Sequence, residues 1–238
     1  MERLVTIIAL LALFLGGCNK KTSSNNDAVL GLDYYPLTLG KYVVYDVDSI
    51  IYTELPKDTI VYKYRIKEKF TDTFTDSKGE TLYRIERYIK NFNPNQSYDN
   101  MPWTIKEVWM MDANHQRVQV QESNIRYTKL IFPVEEKASW NGNASNSNGE
   151  WNYVYDYIDR TETINAVKLD KVLMVKQKEF RTAIGYQLYY EKYAKGVGLV
   201  QREMMDLVSQ NIIAGVPVEG RIGSGFTYKQ TLVTYGFE

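Results

Sequence analysis

A chain of 238 residues with one histidine and one cysteine offers chemistry few places to start. His115 stands between Asn114 and Gln116, in a polar break where a turn is expected, and reads as a solvated loop residue. A Cys/His zinc site needs several such ligands, so no metal is expected. A Ser-His-Asp triad would have to use His115, and no Gly-x-Ser-x-Gly stretch accompanies it. Gly196-x-Gly198 lacks the third glycine and the helix of a dinucleotide site, and no glycine-rich loop ends in Lys-Ser or Lys-Thr. No cofactor is expected. Glycoside hydrolysis needs only two carboxyl groups at the right gap, and Glu135, Glu136, Asp156 and Asp159 could supply them. Acids of this kind are mostly surface residues, so the chain is expected to bind rather than to catalyse.

The other candidates are aromatic. Trp151, Tyr153, Tyr155 and Tyr157 alternate along the chain, so an extended backbone puts all four on one face. Such a strip either packs a core beneath a curved sheet or forms a ligand face. In the second case it would stack on sugars or line a groove for acyl chains.

The elements that must carry these residues read as strands. Over 59–74, Ile60, Tyr62, Tyr64, Ile66, Phe70 and Phe74 fall on one side. Lys63, Arg65, Lys67, Lys69, Thr71 and Thr73 fall on the other, which predicts a long strand with one wet face. Similar strands are predicted over 41–52, 80–91, 103–112, 117–123, 125–132, 151–160, 167–178, 198–209 and 226–235. The 186–195 stretch fits a strand or a short helix stopped by Gly196. Residues 141–149 read as a low-complexity loop, too polar and small to pack, and 211–225 as a glycine-rich loop. The predicted fold is all-β: a strongly curved antiparallel sheet or open β-barrel of about ten strands with few or no helices.

The chain carries 29 basic and 29 acidic side chains. Such a balance gives no general field for nucleic acid, and none is expected as a partner. At the start, 4–15 is an apolar run broken by Thr6, followed by Leu15-Gly16-Gly17-Cys18. The run is too short to span a bilayer core, which needs about 20 residues, but it suits a signal peptide. Leu15-Gly16-Gly17-Cys18 resembles the bacterial lipoprotein box. That resemblance implies cleavage after residue 17 and lipidation of Cys18, which would hold the protein on a membrane without a transmembrane helix. The expected organisation is a leader over 1–17, a lipidated flexible tether over 18–31 and one antiparallel β domain over 32–238. In lipoproteins of diderm bacteria, Asp directly after the cysteine marks inner-membrane retention. Asn19 departs from that pattern and favours the outer membrane, and the lack of an acidic run after Cys18 favours its periplasmic face over the cell surface.

Tyr35-Pro36-Leu37-Thr38-Leu39-Gly40-Lys41-Tyr42, Phe132-Pro133-Val134 with Trp140-Asn141-Gly142-Asn143, and Tyr193-Ala194-Lys195-Gly196-Val197-Gly198-Leu199-Val200 resemble segments of uncharacterised Bacteroidota envelope lipoproteins. This resemblance implies a source and a class but no activity. Asp48-Ser49-Ile50 and Asp58-Thr59-Ile60 resemble the Bacteroidota O-glycosylation tripeptide, which would place sugars on Ser49 and Thr59. The functional expectation is a membrane-anchored, non-catalytic β domain that binds a lipid, a glycan or an envelope protein. A structural or assembly role through strand edges is the alternative, and an envelope glycoside hydrolase is the third reading.

Overall fold

The computed structural model describes residues 29–238. The leader, Cys18 and the tether as far as Ala28 lie outside the described residues. The rest forms twelve strands: β1 (Lys41–Glu54), β2 (Lys57–Thr75), β3 (Thr81–Asn91), β4 (Thr104–Ala113), β5 (Arg117–Glu122), β6 (Ile125–Ile131), β7 (Ser139–Asn141), β8 (Asn152–Ile164), β9 (Val167–Arg181), β10 (Gly185–Ala194), β11 (Gly198–Val208) and β12 (Ser224–Phe237). They make one antiparallel sheet, ordered β6-β5-β4-β3-β2-β1-β12-β11-β10-β9-β8-β7. The all-β expectation therefore holds, with slightly more strands than the sequence suggests. The 186–195 stretch is β10. The strand the sequence hides is β7, whose Ser-Trp-Asn is too short to show an alternation.

Each half of the chain is a meander, and pairing of β1 with β12 joins the halves. The two strands left at the ends of the sheet, β6 and β7, approach each other and nearly close a barrel. Side chains and one backbone bond complete the closure. Asn146 Nδ2 donates to Arg126 O at 2.8 Å, and Trp140 Nε1 donates to Thr128 O at 2.8 Å. The Thr128 N–H reaches Gly142 O at 2.9 Å. Tyr155 Oη accepts from Ile131 N at 2.9 Å and donates to Ile131 O at 2.7 Å. Backbone groups that would otherwise advertise an open edge are thereby occupied.

The low-complexity loop takes part in this seam, contrary to its expected looseness. Asn143 is buried and donates to Gly149 O at 2.7 Å, and Ser145 Oγ accepts from Gln119 Nε2 at 2.6 Å. Asparagine amides replace the apolar contacts that the segment lacks. Gly142 is required there, because a Cβ at that position would overlap the Tyr153 ring.

Strand direction defines two ends. The chain enters at the base, where 30–37 acts as a plug. Tyr34 is 1 % exposed and its hydroxyl donates to the Asp159 carboxylate. Gly196 N donates to Asp33 O at 2.8 Å, and Tyr35 packs on Tyr193 with ring centroids 5.7 Å apart. The β1–β2, β3–β4, β5–β6, β7–β8, β9–β10 and β11–β12 connections lie at the opposite end, the mouth. Val43, Tyr45, Val47, Ile66, Phe70, Ile85, Val120, Leu130 and Leu232 fill the interior. A smaller core of Tyr186, Leu207 and Val218 lies beneath 209–223, so the glycine-rich loop covers apolar surface.

Candidate functional site

Directly paired residues of an antiparallel ladder share a face. Val118 and Val120 of β5 are buried, so Glu122 in the same phase points inward. Glu191 of β10 pairs with Arg202 of β11, which pairs with Gln230 of β12. Lys129 sits at a bulge of β6, where Val118 faces Leu130 and Gln119 faces Thr128. The interior thus receives an ionic cluster. Arg202 donates to both Glu122 carboxylate oxygens at 2.8 and 3.2 Å, and its Nε lies 2.7 Å from Glu191 Oε1. Lys129 Nζ bridges the same two acids at 2.8 and 2.9 Å. Tyr193 Oη donates to Glu191 at 2.6 Å. A second set lies beside it. Arg87 donates to Glu68 at 2.9 Å and to Glu107, and its guanidinium stands 3.7 Å over the Trp109 ring.

Burial by itself would raise the Glu122 carboxyl, but Arg202 and Lys129 outweigh it and hold the group at about 2. Glu107 is likewise desolvated yet held at about 2 by Lys106 and Arg87. These floor acids stay ionised at neutral pH and carry no proton to give, which is the opposite of what a general acid needs.

Above the floor, at the mouth, the lining becomes aromatic and hydrogen-bonding. Trp151 packs edge-on to Tyr189 at 5.1 Å, and Tyr189 reaches Phe226 at 6.5 Å. Gln187 Nε2 and Tyr189 Oη both donate to Asp206 Oδ2, at 2.8 and 3.3 Å. Burial and then Asp206 push the Tyr189 hydroxyl up to about 12, so it remains a donor. Beside this rim is a polar pocket of about 550 Å³ between 143–152 and β9. An apolar groove of about 430 Å³ lies at the base, with Leu37, Val118 and Phe132 in its wall and Asp33 and His115 at its rim.

No family model, curated protein or solved structure matches the chain.

The structure divides the aromatic strip. Tyr153, Tyr155 and Tyr157 are buried in the core, and Tyr155 seals the seam. Trp151 reaches the mouth half-buried. The four candidate acids do not share one setting. Glu135 and Glu136 are exposed in a turn, Asp156 lies 3.4 Å from Lys137, and Asp159 takes the Tyr34 hydroxyl with Lys195 at 3.4 Å. His115 is exposed in the β4–β5 turn. Among the described residues, no three His, Cys, Asp or Glu side chains gather for a metal ion. Thr59 is exposed near the β1–β2 tip, with its N–H taken by Asp58 at 2.7 Å, whereas Ser49 is half-buried opposite Tyr62 and Tyr228.

The ionic floor and the Asp206 group are absent from the sequence-based candidates. A signal for them exists. Glu191 keeps phase with Tyr189 and Tyr193, Arg202 with Val200 and Met204, and Glu122 with Val118 and Val120. A charge that repeatedly falls on the apolar phase of neighbouring strands marks a polar interior.

Proposed function

We propose that this chain is a membrane-anchored bacterial lipoprotein whose β domain binds a ligand at its mouth without transforming it. The observation that carries the reading is the opposition of the two ends. The described chain begins at the plugged base, and the aromatic, hydrogen-bonding mouth lies at the far end. An anchor through Cys18 then directs the mouth away from the bilayer. The floor of paired charges disfavours an acyl chain inside the barrel, because methylene groups would displace solvation from ions without replacing it. Rings with polar tips beside an amide and a carboxylate suit a polyhydroxylated or peptide-like ligand better. The Bacteroidota resemblance and the outer-membrane address belong to this proposal.

The test is native purification of the detergent-solubilised protein and of its Tyr189→Ala variant, followed by mass spectrometry of bound molecules. A molecule enriched with the natural protein and depleted from the variant is expected. Equal recovery from both overturns the reading.

One observation favours assembly as a second reading. Pairing of β3 with β2 ends at Asn91 opposite Tyr64, so the outer edge of β2 continues past its partner toward the tip. Leu55 is 93 % exposed there, and Val61 is exposed as well. An added strand from another envelope protein would fit this edge. Val61→Lys should then abolish recovery of a protein partner; retention of the partner removes this reading.

A further inference from the structure

Two buried donors meet at one pocket. Gln177 is 7 % exposed, and neither its amide nitrogen nor the Trp151 indole nitrogen has a hydrogen-bond partner. Buried polar groups are nearly always paired, so two orphans lining one pocket mark a place where acceptors belong. The strand geometry at this point is specific. Tyr189 pairs with Lys178 and Tyr190 with Lys176, which makes Gln177 the extra residue of a β-bulge. Bulges re-aim side chains and recur beside functional sites. The rest of the lining consists largely of amides and one charge of each sign: Asn148, Asn152, Glu150 and Lys178. Its volume of about 550 Å³ lies within the range of small-molecule sites, about 300–1,000 Å³.

We propose that this pocket binds a neutral saccharide residue. Hydroxyl and acetal oxygens would accept from Gln177 Nε2 and Trp151 Nε1, and the asparagine amides can donate to or accept from hydroxyls on either side. Lys178 Nζ already stands 5.4 Å over the Trp151 ring, so the pocket offers a sugar hydrogen bonds rather than an open stacking face. Glu150 and Lys178 cancel in charge, so the lining favours neutral sugars over uronic acids. The proposal rests on the ligand-binding reading given above and names the ligand class and one subsite.

The test exposes the full chain, solubilised in detergent, to an array of neutral and uronic-acid oligosaccharides. The best neutral binder is then titrated against tryptophan fluorescence. Trp151→Ala and Gln177→Leu should each weaken that binder by about tenfold or more. Gln177→Leu removes an unpaired buried amide, so its thermal midpoint should equal or exceed that of the natural protein, which separates lost binding from lost folding. Retention of uronic acids only, or of no saccharide, overturns the proposal, as does a neutral binder held equally by both variants. A binder insensitive to these variants but lost in Tyr189→Ala overturns the pocket and leaves the mouth reading standing. The absence of any bound molecule in native purification overturns both.

Discussion

Arg202 serves Glu122 and Glu191 with one guanidinium, and both acids are enclosed with it inside the barrel. Removing the cation leaves two buried anions with Lys129 as their shared partner. Arg202→Met should therefore cost about 3–5 kcal/mol, read as a lower urea midpoint at neutral pH. The acid response follows from Glu122, whose folded carboxyl is held at about 2, below the roughly 4.3 of an unfolded glutamate. A depressed folded value contributes stability that is complete above the unfolded value and disappears as pH falls through the folded one. The thermal midpoint should stay flat from neutral pH to about 5 and drop between about 4.3 and 2. In Arg202→Met the curve should start lower and fall less steeply, because the main force depressing Glu122 is gone. A variant with the natural acid slope would show that the cluster does not govern acid stability.

The seam between β6 and β7 has a single backbone bond, Thr128 N to Gly142 O, and is otherwise held by side chains where other pairs use backbone ladders. Tyr155→Phe removes the hydroxyl that serves both Ile131 N and Ile131 O, and should destabilise by about 1–3 kcal/mol. Amide exchange at Ile131 should accelerate more than exchange in β1 or β12; uniform acceleration would place the loss elsewhere. Gly142→Ala should cost about 1–3 kcal/mol in a denaturant titration, since its Cβ meets the Tyr153 ring rather than a yielding chain end. Strands were legible in the sequence wherever a period of two ran long enough. β2 shows this, although its apolar face outruns the barrel and leaves Ile60, Tyr62 and Phe74 exposed. The seam was not legible. Its groups come from Arg126, Thr128, Ile131, Trp140, Asn146 and Tyr155, and only closure of the sheet brings them together. The floor was half legible: the misplaced charges of β5, β10 and β11 are visible in the sequence, but their mutual pairing depends on register.

At the scale of the molecule, the plugged base and the mouth lie at opposite ends. If Cys18 carries the lipid, Cys18→Ser should shift the protein from the membrane to the soluble fraction while the circular dichroism spectrum keeps its β signature. Continued partition with membranes would show that something other than the thioether holds it there. The union of β1 with β12 has a further consequence. The strand made first waits for the strand made last, a pairing of high sequence separation that is slow to form. A growing polypeptide can zip β1 onto β2 early, yet the cylinder cannot shut until the final fourteen-residue strand is available. Until then β1 and β11 each present a bare flank, so chaperoning and the rate at which the last strand is delivered should govern the yield of this protein more than its final stability does.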